Sequence, residues 1–197
     1  MRDADGARGV DLADGTGAVD TAEAAELHIY DALLVNGLLQ CEEHARAVFE
    51  MWRPLLEEAT VEQRLAARLA RQTIFVRSPT PLLSFVTEEA ALRRPLGGPA
   101  VLRAQFEQVL LIGHQRNVEI QVMPLDRDEH ASLAGAFTLP LTKSRRGMAY
   151  VEAQSQSVVR SDPAKVQNLE ATYGILPAQA LTPKESLGWI AWLLGEL

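Results

Sequence analysis

The chain has 197 residues, 47% of them hydrophobic and 23% charged, with a formal net charge of −7 at pH 7. That length carries a sizeable core. An acidic balance without a basic tract argues against direct nucleic acid binding, because non-specific affinity for DNA comes from Lys and Arg neutralising phosphates.

The single cysteine, Cys41, excludes an internal disulfide and a zinc site built on two or four cysteines. No apolar run reaches the roughly 18 residues of a membrane span. The first 20 residues lack a signal-peptide pattern. A cytoplasmic chain with no membrane attachment is expected.

In chain order, residues 1–20 are rich in Gly, Asp and Ala and predict a disordered acidic arm. One domain is expected over 21–197, with Thr21 as a helix cap. Residues 24–34 are apolar and fit either helix or strand. Asn36-Gly37 signals a turn. Residues 38–52 have helical spacing. Residues 61–76 predict one helix, with Leu65, Leu69, Ile74, Ala66 and Ala70 on the apolar stripe. Arg64, Arg68 and Arg71 share another face, read as solvated and paired with Glu57, Glu58 and Glu62.

Residues 82–86 read as a buried strand, 99–113 as a helix opened by Pro99, and 118–123 as an alternating strand. Strand, helix, strand in that order make a βαβ unit whose strands run parallel when they share a sheet. Residues 137–141 and 148–152 suggest a hairpin, with Lys143, Arg145 and Arg146 in its turn, and 156–160 an edge strand. Asp162-Pro163 and Thr182-Pro183 each open a helix, the first reaching about Leu176. The expected fold is α+β: a small mixed sheet containing the βαβ unit and the hairpin, with helices packed around it.

The chemistry-bearing residues are few. Glu88 and Glu89 follow the first strand of the βαβ unit, and adjacent side chains diverge, so one faces a pocket. Glu89 is the choice, because the alternation set by Leu83 and Phe85 breaks there. Arg93 and Arg94 precede Gly97-Gly98, whose glycines let a ligand or a backbone come close. With the helix N-terminus they would hold an anion. His130 lies in a loop before the hairpin, and Tyr150 and Glu152 stand on a hairpin strand. Glu89, His130 and Glu152 are the candidate acid–base groups. Arg93, Arg94, Gln121 and Tyr150 are the candidate ligand contacts. No metal-ligand spacing and no cofactor motif occurs.

Several segments carry a resemblance. They are Ile29-Tyr30, Leu34-Val35 with Gly37-Leu38-Leu39-Gln40, Ala45-Arg46-Ala47, and Arg68-Leu69-Ala70-Arg71-Gln72. Further on stand Glu89 to Pro95, Gly97-Gly98-Pro99, Asn117-Val118 with Ile120-Gln121-Val122, His130-Ala131, Tyr150-Val151-Glu152 and Thr182 to Leu187. Over nearly all of the chain beyond residue 23 it resembles the C-terminal effector domain of actinobacterial Xre-type helix-turn-helix regulators, described as antitoxin-like. Such regulators carry a DNA-binding module of several helices ahead of this region, and the acidic residues before Thr21 cannot form one. Asp31-Ala32, Asn36-Gly37 and Cys41 also depart from the family pattern.

The resemblance implies a stand-alone domain that senses a small molecule or binds a partner, a homodimer or another protein, without touching DNA itself. The alternative is a cofactor-independent enzyme of isomerase or cyclase type, in which a sensor pocket has been recruited for acid–base chemistry.

Overall fold

The computed structural model describes residues 10–11, 24–142, 148–153 and 156–197. The expected arm falls outside these residues except for β1 (Val10–Asp11). The Thr21 cap and the basic hairpin turn also lie outside them.

A mixed sheet organises the chain, in the order β1-β7-β6-β5-β2-β3-β4. Strands β2 (Ala24–Asp31), β3 (Leu82–Glu88) and β4 (Val118–Met123) run parallel. On the other side of β2, strands β5 (Phe137–Thr142), β6 (Ala149–Ala153) and β7 (Gln156–Arg160) are antiparallel. The protein is therefore α+β with a mixed sheet, and β2 is the seam between its two halves. The segment that fitted helix or strand becomes β2 because period 2 serves a central strand. Leu27 and Ile29 face one layer and Tyr30 the other, all nearly sealed.

Helices α1 (Glu42–Glu50) and α2 (Glu58–Ala70) connect β2 to β3. Helices α3 (Glu89–Arg93) and α4 (Pro99–Gly113) connect β3 to β4. Helices α5 (Pro163–Gln179) and α6 (Pro183–Glu196) end the chain. One sheet face packs Leu27, Phe85 and Ile120 against Phe106 and Val109 of α4 and Ile190 of α6. The other packs Tyr30, Val86, Phe137 and Leu139 against Tyr173 and Leu176 of α5. Each fully buried aromatic here is worth about 3–5 kcal/mol against alanine.

Three expectations change. The helix predicted over 61–76 starts at Glu58 and gives way at Arg71 to a 3-10 stretch, Arg71–Val76. Its buried face is Val61, Leu65 and Arg68, while Ala66 and Ala70 are exposed. Arg68 is thus not on a solvated face. It lies over the Phe49 ring at 4.2 Å, held between α1 and α2. The glutamates Glu58 and Glu62 go instead to Arg46 of α1.

Second, Gly97 and Gly98 serve the start of α4. Both have positive φ, 73° and 89°, and a Cβ on Gly97 would meet Val101 at 2.9 Å. Third, α5 continues past Leu176 and contains Pro177. The Pro177 carbonyl and that of Leu181 both accept from Gln121 Nε2, at 3.1 and 2.7 Å, so one β4 side chain fixes the corner between α5 and α6.

The end of the sheet at β4 is closed by α6. The Val122 N–H donates to Ser186 Oγ at 2.9 Å, and Leu181 N–H donates to the Val122 carbonyl at 2.9 Å. Thr182 and Glu185 form a reciprocal capping box that sets where α6 begins.

Candidate functional site

The C-terminal ends of parallel strands share one edge, where ligands of such sheets commonly bind. Here β3 keeps its alternation two residues beyond Val86. Glu88 therefore shares the α5 side with Ser84 and Val86, and Glu89 opens α3 on the α6 side. The two carboxylates build two different places.

On the α5 side, Glu88 meets Tyr30 from β2 and His130 from the loop after β4. Tyr30 OH donates to Glu88 Oε1 at 2.9 Å. His130 Nδ1 accepts the Ser132 N–H at 3.0 Å, which places the ring proton on Nε2. That Nε2 lies 2.7 Å from Glu88 Oε1 and donates to it. The carboxylate and the imidazole keep only 14% and 11% of their side-chain exposure. Ala131 N–H donates to Gln179 Oε1 at 2.9 Å, so α5 anchors the loop that carries the histidine. Burial, and then the Glu88 charge, pushes the Tyr30 hydroxyl well above the ordinary tyrosine range.

On the α6 side, Glu89 Oε1 takes Arg93 Nε at 2.5 Å and its Oε2 takes the Leu125 N–H at 3.0 Å. The Arg93 guanidinium lies over the Trp189 ring at 5.2 Å. Beside this brace is an open cleft of about 380 Å³ lined by Glu89, Pro124, Leu125, Asp126, Arg127, Leu181 and Trp189. Its lining combines apolar walls with a few charges, which suits an amphipathic small molecule.

The remaining candidates are dispersed. Glu89 does not reach His130, being committed to Arg93 and Leu125. Arg93 is drawn onto Glu89 and Trp189, while Arg94 is exposed, so the two arginines do not converge at the start of α4. Gln121 is spent on the carbonyls of Pro177 and Leu181. Tyr150 is buried opposite Thr138, on the sheet face away from Tyr30 and Phe137. Glu152 has its backbone on β6, and its side chain lies outside the described residues.

Residue-by-residue reading missed Glu88, Tyr30 and Trp189. Glu88 was reachable by carrying the Ser84, Val86 alternation one step further. Nothing local announces that Tyr30 and His130 meet, since 100 residues separate them.

Among the described residues, no group of three or more His, Cys, Asp or Glu could hold a metal. No helix of the described residues is long and apolar enough to cross a membrane.

A family model described as "Domain of unknown function (DUF5753)" matches residues 18–191. No curated protein and no solved structure matches the chain.

Proposed function

The chain belongs to the DUF5753 family, and from that premise we propose that it is a ligand-sensing module that takes a small molecule in the cleft beside Trp189. The observation that carries this reading is a separation. The lined cleft lies on the α6 side of the strand ends, and the tighter and more buried of the two carboxylate–histidine contacts among the described residues, Glu88 with His130, lies on the α5 side. The cleft has two carboxylates, Glu89 and Asp126, but no histidine, and Glu89 is already committed to Arg93 and the Leu125 N–H, so the cleft binds more readily than it reacts. In the same proposal the module works with a regulator of Xre type in the cytoplasm, through a homodimer or a protein partner, and touches no nucleic acid itself. The resemblance of its motifs to effector domains of such regulators supports that part.

Native mass spectrometry of protein purified from its host tests the reading. One small molecule per chain, lost in Trp189→Ala and weakened in the surface variant Arg127→Glu, is the expected result. Bare wild-type protein, or a ligand retained by both variants, overturns it.

The enzyme reading has its own supporting observation, the 2.7 Å contact of Glu88 and His130. It predicts turnover of the co-purified molecule that disappears in Glu88→Gln.

A further inference from the structure

We propose that Glu88 is a seat for a protonated nitrogen, the ammonium or guanidinium group of a ligand that enters from the α5 side of the sheet. This inference is independent of the cleft, which opens on the other side.

The two oxygens of Glu88 are unequal. Oε1 already accepts from Tyr30 OH and His130 Nε2. Oε2 accepts from none of the described residues, and it is not among the sealed unpartnered atoms. The side chain keeps 14% exposure, so Oε2 is the oxygen that a ligand can reach. The two donors on Oε1 hold the carboxylate in place.

No arginine or lysine among the described residues pairs with Glu88, and the Ser132 N–H occupies His130 Nδ1, so the imidazole meets Glu88 through Nε2 alone. The nearest arginine along the chain, Arg93, is held by Glu89 on the opposite side. A largely desolvated carboxylate without an arginine or lysine partner repels anions and gains most from a positively charged hydrogen-bond donor.

The Tyr30 and Phe137 rings are sealed in the core at 2% exposure each, so contact for the rest of a ligand falls to the loop that carries His130. Leu133, in the same loop as His130, is 84% exposed and offers contact for an apolar body. The class of ligand is therefore an amine or guanidine carried on an apolar or aromatic group.

The test follows the Tyr30 and His130 ring resonances by NMR while benzylammonium is titrated in, with benzyl alcohol as a neutral probe of nearly the same shape. Benzylammonium is expected to give saturable shifts. Benzyl alcohol should need about tenfold more or fail, the value of one charge-assisted hydrogen bond. Glu88→Gln should abolish the response to benzylammonium, and Trp189→Ala should leave it intact. Should Glu88→Gln not fold, Glu88→Asp decides, because it keeps the charge and withdraws it by one methylene; binding weakened severalfold is expected there. A silent wild-type protein, equal responses to the two probes, or full response in the Glu88 variant overturns the seat. Loss of response in Trp189→Ala with retention in Glu88→Gln assigns the amine to the cleft instead, and equally overturns it.

Discussion

The Arg68 guanidinium donates to Gln40 Oε1 at 2.6 Å from beneath the loop that follows β2. That contact joins two motif segments that lie 28 residues apart. Gln40 Nε2 in turn holds the Val35 carbonyl at 2.7 Å, Gln72 Nε2 holds the Gln40 carbonyl at 2.7 Å, and Gln105 takes both the Cys41 N–H and the Leu39 carbonyl. Beyond its own turn bonds to Asn36, the loop is fixed by three glutamine side chains and one arginine. Gly37 belongs to the same arrangement, because a Cβ there would press on the Arg68 side chain at 3.4 Å.

Arg68→Met keeps much of the volume but leaves Gln40 Oε1 buried without its donor. A loss of about 1–3 kcal/mol is expected, read as a lower urea midpoint. An unchanged midpoint would show that the guanidinium adds nothing beyond its packing on Phe49.

His44 gives a pH-dependent stability. It is 1% exposed and neither ring nitrogen has a partner among the described residues. Burial, and then Arg68, lowers its pKa from 6.5 to about 4. The unfolded chain binds this proton first as pH falls, so the contribution is whole above 6.5 and drains away toward about 4. The full loss is roughly 3 kcal/mol. His44→Leu should match or exceed the wild type at neutral pH by up to ~1 kcal/mol, and its advantage should widen through that window. A constant difference between the two proteins across the window argues against the assignment.

The closure of β4 is open to a paired test. Ser186→Ala removes the acceptor of the Val122 N–H deep in the protein and should cost about 1–3 kcal/mol. Thr182→Ala removes an exposed cap and should cost about 1 kcal/mol. Thermal unfolding of the two variants checks the order; the reverse order would place the tether's energy in the cap.

Two of the three tyrosines resist ionisation. Burial raises Tyr30, with Glu88 adding to it, and burial raises Tyr173 to about 12 despite the bond from its hydroxyl to Ser84. A raised tyrosine stabilises the fold fully below its unfolded value of 10 and loses that contribution as pH climbs through the folded value. Tyr30→Phe and Tyr173→Phe should therefore leave the early part of the phenolate absorbance titration unchanged. A loss of early amplitude in either variant would show an accessible hydroxyl.

Much of the fold was legible because its signals are local. Pro99 at the start of a helix, the alternation of Val118, Ile120 and Val122, and the Thr182–Glu185 spacing each specify an element within a few residues. The βαβ unit followed from their order. Arg68 was misread for a different reason. Charge usually marks solvent, and only the arrival of Phe49 and Gln40 from elsewhere makes burial affordable. The site suffered the same limit: strand parity brings Glu88 to one side, but its meeting with Tyr30 and His130 depends on how the sheet is assembled.

The hydroxyl of Ser186 has a further consequence. A sheet margin with free amides and carbonyls recruits strands from other chains, which is how many folded proteins begin to aggregate. At Val122 both backbone groups are already occupied from within the molecule. A foreign strand that sought to extend the sheet there would first have to lift off a whole helix. The last helix thus works as a bolt on the sheet, guarding its solubility as well as filling its core.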